Sequence, residues 1–320
     1  MIVCTFEDRE ESLVGLKLLA LSLARHCPGV ELHACVPAAT PAFLHWAAEQ
    51  PALRLIPRQS HWAGGWNIKP TLLADRLDAG YREVVWLDAD IVLARDFRQH
   101  WPAHDSCVVV EEWAQGPNDR SSVRTRAFGL EVGREFPRAI NSAVVRVTPA
   151  HRALIARWAT LLARPEYLRD QSRPTSERPV HHTGDQDALA ALLGSRDFDD
   201  VPVRLMRSPH DIAHAHVCVY ASYPISHRLT HLYSGLPPLI HALGLPKPWS
   251  AAFQSRRAVG LSPYCAVAAP YAQDLGEPAE WLRPRTLWGR ASHALALGSP
   301  CLRDLPTVFA GELRRWRDSL

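Results

Sequence analysis

A chain of 320 residues, 47% apolar and 22% charged, is long enough for one large α/β domain with an appendage, or for two small domains. A formal net charge of +3, with no basic stripe interleaved with aromatics in the main part of the chain, excludes nucleic acid as the expected partner. No apolar stretch approaches the ~18 residues of a membrane span, which excludes an integral membrane protein. Met1 to Asp8 has no basic segment before its apolar run and turns acidic at once, so no signal peptide is expected. Seven cysteines without a CxxC pair predict reduced thiols in a cytoplasm rather than a disulfide framework or a zinc site.

Along the chain, Ile2 to Phe6 reads as a buried strand and Glu11 to His26 as a helix, its apolar residues Leu13, Leu16, Leu19, Ala20 and Leu23 recurring at helical spacing. Strands at Val30 to Val36 and Leu53 to Ile56 flank a helix at Pro41 to Glu49, an alternation that predicts a parallel, doubly wound sheet. A loop with Trp62, Gly64, Gly65 and Trp66 precedes a helix at Pro70 to Leu77 and a strand at Val84 to Leu87. Further strands are expected at Cys107 to Val110, Ala143 to Val147, Val203 to Met206, Val217 to Tyr220 and Leu239 to Ala242. Helices are expected at Pro149 to Ala163 and Gly184 to Leu193, with 164–183 a polar loop between them. From about Ser250 the alternation is lost, which divides the chain into a domain at 1–250 and an extension at 251–320.

Asp88-Ala89-Asp90 stands between two apolar runs, Val84 to Leu87 and Ile91 to Leu93. Carboxylates so close to buried segments need a compensating cation or proton. Such oxygen ligands suit a hard divalent ion, Mg²⁺ or Mn²⁺, which commonly fills its remaining positions with phosphate oxygens. A bare acid-x-acid triplet also suits a turn cap beside a surface acid, but this one falls at the carboxyl end of a strand, where open α/β sheets bind ligands. A second segment, His241-Ala242-Leu243-Gly244-Leu245-Pro246-Lys247-Pro248-Trp249, offers an imidazole, a glycine that lets backbone approach a ligand, and a point-charge ammonium. Of 36 lysines and arginines, only Lys17, Lys69 and Lys247 are lysines, so each is a candidate for a place where a compact ammonium is wanted over a planar fork, codon bias accounting for the general use of arginine and chance for where three lysines remain. Lys17, inside a helical pattern, is expected to be solvated.

Together these segments resemble family 8 glycosyltransferases of the GT-A fold, the bacterial galactosyltransferase and glycogenin type. The resemblance rests on Asp88-Ala89-Asp90 as a DxD triplet and on His241, Gly244, Lys247, Pro248 and Trp249 as H-x-x-G-x-x-K-P-W. Asp185-Gln186-Asp187-Ala188-Leu189 looks like D-Q-D-x-L, and Asn141-Ser142-Ala143-Val144 is similar to N-[AS]-G-V. Four motifs in order span roughly residues 1 to 250. The resemblance implies a GT-A type, Rossmann-like α/β fold, its mostly parallel doubly wound sheet followed by a C-terminal helical extension. It implies Asp88, Asp90 and His241 as ligands of Mn²⁺ or Mg²⁺, with Ala89, Gly244 and Lys247 at the diphosphate of a nucleotide sugar, foremost a UDP-sugar. Asp185 would bind the donor sugar's hydroxyls beside Asn141, and Gln186 would lie by the anomeric carbon of a reaction that retains configuration. Lys69 would touch the diphosphate or donor sugar, while Thr5, Phe6 and Asp8, near Glu7, would hold uracil and ribose.

Two positions depart from the family pattern. Arg9 replaces a small polar residue, and Ala143 replaces a glycine, which is expected to narrow the space around the donor sugar. Trp62, Trp66, His181 and His182 lie in loops and are candidates to meet a carbohydrate or glycolipid acceptor. The tail from Trp281 to Leu320, rich in arginine, suits either an anionic membrane surface on the cytoplasmic side or a helix packed on the main domain. Two other functions fit parts of the pattern: a phosphotransferase of the haloacid dehalogenase kind, which also uses Asp-x-Asp but on its first strand, and a catalytically silent nucleotide-sugar or glycan binding protein.

Overall fold

The computed structural model describes residues 1–102, 105–112, 120–136, 138–214, 225–245, 247–250 and 263–282. Its strands are β1 (Ile2–Phe6), β2 (Glu31–Cys35), β3 (Leu53–Leu55), β4 (Val84–Leu87), β5 (Ile91–Leu93), β6 (Cys107–Glu111), β7 (Ile140–Val147), β8 (Val203–Met206), β9 (Ile212–His214) and β10 (Leu239–His241). Its helices are α1 (Leu13–His26), α2 (Pro41–Ala48), α3 (Lys69–Asp78), α4 (Ser121–Ala127), α5 (Arg152–Leu162), α6 (Pro165–Gln171), α7 (Asp185–Leu193), α8 (Ile225–Ser234) and α9 (Pro263–Ala268).

Seven strands form the main sheet in the order β3-β2-β1-β4-β7-β6-β8, parallel except for β7, which runs against both neighbours. The mostly parallel, doubly wound expectation therefore holds. Strand periodicity explains why these segments read as unbroken apolar runs. Cys4, Trp86 and Val109 point into a core under α3, α5 and α7, while their neighbours Val3, Val85 and Val108 point into a second core under α1 and α2.

A smaller sheet, β5-β10-β9, carries a third core, made with Val14 and Leu18 of α1 and with Tyr264, Tyr271 and Trp281 from 263–282. The triplet is the junction of the two sheets. Asp88 N donates to Ala143 O at 2.9 Å, one rung past the end of β4, and Ala242 N donates to Asp90 O at 3.0 Å beside the β5–β10 pair.

Several expectations are corrected. Residues 164–183 are not all loop, because α6 occupies Pro165–Gln171 with Tyr167 fully buried. Helices α4 and α8 and strand β9 lie where no element was expected. Lys17 is not solvated: its ammonium donates to Leu275 O at 2.8 Å and Glu277 Oε1 at 2.7 Å, and so ties α1 to the segment 263–282. The strand expected at 217–220 and the tail beyond Leu282 lie outside the described residues. No described helix is long and apolar enough to cross a membrane, and Cys4, Cys27, Cys35 and Cys107 are free and buried.

Candidate active site

A cavity of about 570 Å³ opens at the carboxyl ends of β1 and β4. Asp88, Asp90 and His241 converge in it, each offering one ligand atom within 4.8 Å of the others. His241 comes close because β10 pairs antiparallel with β5, placing it opposite Ile91, next to Asp90. Its Nε2 lies 3.2 Å from Asp90 Oδ1 and 4.0 Å from Asp88 Oδ2. After His241 the chain turns through Gly244 at φ +78°, a left-handed conformation that favours glycine. The turn returns Lys247, whose ammonium contacts Asp90 and donates to Ala242 O at 2.7 Å. Burial pushes the Asp90 carboxyl up, but His241 and Lys247 outweigh it and hold the group far below the usual carboxylate range.

A second ammonium continues the array. Lys69, the first residue of α3 and 4% exposed, lies 3.1 Å from Asp88 Oδ1 and 3.4 Å from Asp185 Oδ2. It also donates to Ser142 O at 3.2 Å and Ser142 Oγ at 2.8 Å, and that hydroxyl donates to Asp185 Oδ2 at 2.7 Å. Burial raises the pKa of the Asp185 carboxyl against the opposing pull of Lys69. The β6–β7 ladder is irregular here: Val109 faces Val145, whereas Val110 faces Asn141. Such bulges re-aim side chains, and Asn141 and Ser142 both line the cavity. Ala143 does not; its side chain is in the core under α1 and α2, so it does not narrow the cavity.

The remaining expected residues divide. Phe6, Asp8, Ala89, Gln186 and Gly244 line the cavity, whereas Thr5 is fully buried in β1 with no hydrogen-bond partner for its hydroxyl among the described residues. Arg9 also lines it, clamped on the buried Glu7 through Nε at 2.8 Å and Nη2 at 2.9 Å. Trp62 is buried and donates to Asp75 at 2.6 Å, and His182 is buried against Asp170 at 2.7 Å. Of the four loop candidates for an acceptor, only Trp66 is among the residues lining the cavity. Asp187 is a structural partner, paired with Arg124 at 2.7 Å and accepting from Gly184 N at 2.9 Å.

Three contributors were missed. Trp86 donates to Asp88 Oδ1 at 2.7 Å; its place two residues earlier on the same strand face signalled it. Ser142 sits inside a recognised motif. Glu112, at the end of β6, accepts from Asn141 Nδ2 at 3.4 Å and Gln186 Nε2 at 3.5 Å, and burial pushes its pKa up. An acid after a buried strand was its signal.

Trp249 explains part of the lysine segment's shape. A Cβ added at Gly15 of α1 would stand 2.7 Å from its Cη2 and 3.0 Å from Ala89 O. Gly15 is therefore where α1 touches both the triplet and the loop that carries Lys247. With the Mn²⁺-dependent UDP binding that the sequence resemblance implies as the readout, Gly15→Ala is expected to displace Trp249 and weaken that binding about tenfold, which is ~1.4 kcal/mol, despite alanine's better helix propensity. Titration calorimetry checks this, and an unchanged affinity would show the contact to be passive.

Solved glycosyltransferases share this architecture. Two structures of the galactosyltransferase LgtC, one in complex with donor and acceptor sugar analogs and one of an active-site mutant, superpose with a TM-score of 0.53 each. They are 16% and 15% identical to this chain, cover 88% and 89% of it, and are themselves 99% and 100% covered. The apo bifunctional glycosyltransferase WbbM matches at a TM-score of 0.50 and 12% identity, over 86% of this chain and 51% of its own. No protein-family model and no curated protein matches the sequence. The likeness is one of fold, and it establishes the GT-A architecture.

Proposed function

We propose that the chain is a metal-dependent glycosyltransferase of family 8 that moves a hexosyl group from a UDP-sugar to a carbohydrate or glycolipid acceptor with retention of configuration. The convergence of Asp88, Asp90 and His241 beside two buried ammonium groups carries this reading. Two carboxylates and an imidazole suit Mn²⁺, and Mg²⁺ next, so the residues present fit the group. When bound, the ion would supply Lewis-acid stabilisation of a departing diphosphate.

The chain's own residues supply the rest. Lys247 and the turn at Gly244 offer a positive charge and close backbone to phosphate oxygens. Asp185, held by Ser142 and Lys69, accepts from donor-sugar hydroxyls. In the transfer, the bond from the anomeric carbon to phosphate oxygen breaks, that carbon bonds to the acceptor oxygen, and the acceptor's proton is released. Gln186, an amide and a poor nucleophile, gives electrostatic support to an oxocarbenium-like state. Phe6 and Asp8 stand for the uracil and ribose end. The haloacid dehalogenase reading is disfavoured, because the triplet follows β4 and not β1. Reduced, buried cysteines suit a cytoplasmic setting.

A thermal-shift screen of UDP-, GDP- and ADP-sugars with and without Mn²⁺ tests this. A UDP-sugar with Mn²⁺ should stabilise most, by about 2.7 kcal/mol at a hundred times its Kd, and EDTA should remove the shift. Equal shifts with and without metal would count against the assignment.

A further inference from the structure

Among the described residues, Phe6, Trp66 and Trp86 are the aromatic side chains that line the cavity. Phe6 and Trp86 are buried, whereas Trp66 is 49% exposed. Single exposed apolar side chains are ordinary on a surface, but Trp66 is held in place in the cavity that also gathers Asp88, Asp90, Lys69 and Lys247. The backbone before it turns through Gly65 at φ +56°. Its indole N–H donates to Gln171 Oε1 at 3.3 Å, and the Arg178 guanidinium lies 5.9 Å from its ring centroid. Arg178 is itself fixed, donating to Gln171 Oε1 and Gln171 O at 2.9 Å each and to Arg173 O and Thr183 O at 3.0 Å each. Asn67 beside it accepts from the buried Tyr167 hydroxyl at 2.9 Å.

The cavity's contacts run in order: Lys247 to Asp90, Asp88 to Lys69, Lys69 to Asp185. Trp66 precedes Lys69 by one turn of chain, and Thr183 and Gly184, which also line the cavity, precede Asp185. The exposed indole thus lies by Arg178, whose guanidinium donates to Thr183 O, two residues before Asp185. A rigid aromatic face offers a large area at little entropic cost, and a pyranose ring has an apolar C–H face of matching size.

We infer that Trp66 is the acceptor platform, stacking on the C–H face of a pyranoside beside the hydroxyls of Thr175 and Thr183. The inference rests on the glycosyltransferase reading and narrows its acceptor to a sugar ring with an open apolar face.

The test is saturation-transfer NMR with methyl β-D-galactopyranoside and methyl β-D-glucopyranoside, in the presence of Mn²⁺ and UDP. The parent protein should transfer saturation to the ring protons of at least one glycoside. Trp66→Ala should weaken that binding about tenfold, as truncating an anchoring tryptophan does, and Trp66→Phe should restore part of it. UDP affinity by calorimetry should stay within about twofold in both variants, less than the tenfold that separates 1.4 kcal/mol. UDP binding without glycoside binding in the parent, equal glycoside binding in Trp66→Ala, or a parallel loss of UDP affinity overturns the platform alone. Absence of Mn²⁺-dependent UDP binding in the parent overturns the glycosyltransferase reading and the platform with it.

Discussion

Asp90→Asn is expected to lower Mn²⁺-dependent UDP affinity by more than about 100-fold while leaving the protein folded. Loss of a residue that only orients a ligand costs 10–100-fold in metal sites, and Asp90 is itself one of the three converging donors. The carboxylate is available for a cation at any pH near neutral, because His241 and Lys247 override burial and keep it ionised. Its depressed pKa also contributes stability that is present above the unfolded value and lost only as pH falls through the folded one. The amide removes that contribution and leaves Lys247 without its counter-charge. The Asn side-chain oxygen still accepts from Lys247, which keeps its bond to Ala242 O, so the cost should stay within a typical folding margin of about 5–15 kcal/mol. Calorimetry with and without Mn²⁺ reads the effect. Equal metal-dependent affinity in parent and variant would remove Asp90 from the proposed ligand set.

Lys69→Met should carry the largest stability cost. Methionine keeps most of the stem's volume and deletes the ammonium between Asp88 and Asp185, and breaking a buried pair from one side costs about 3–5 kcal/mol. The melting temperature should fall by roughly 10 °C for a chain of this size. The deficit should also depend on pH in a definite direction. Burial already raises Asp185, and Lys69 opposes that rise. Without Lys69 the folded pKa rises further, and a carboxyl with a raised folded pKa is least destabilising below its unfolded value. Stability lost on mutation should therefore shrink as pH falls through the variant's raised folded value towards the unfolded one. Melting curves across that range decide the matter, and a deficit that is flat or grows in acid would contradict the buried triad.

The three lysines show how far composition reached. Scarcity made each a candidate, the motifs singled out Lys69 and Lys247, Lys17 was expected to be solvated, and all three are buried with specific partners. Scarcity did not reveal Lys17's burial, because its partners Leu275 and Glu277 are more than 250 residues away and only packing of 263–282 on α1 brings them near. The main strands were legible because strands buried on both faces are unbroken apolar runs. Helix α4, Ser-Ser-Val-Arg-Thr-Arg-Ala, was not, since its burial depends on the Arg124–Asp187 pair rather than on a hydrophobic stripe. Helix α6 has seven residues, with Tyr167 buried and Leu168 half exposed, too little to define a period. The site was legible where spacing is local, as in His241 to Lys247, and opaque where a bulge chose the direction, as at Ser142 and Ala143.

Because Asp88 extends one sheet and Asp90 accompanies the other, a cation gripped by both carboxylates would act as a fastener across a seam. Any sliding of β5-β10-β9 against the main sheet would change the bite of the two acids, and with it the place of His241 against Asp88. Ion affinity and seam rigidity would then be linked, and Gly15, where α1 stands against Ala89 between the two acids, is the place at which packing would reach both.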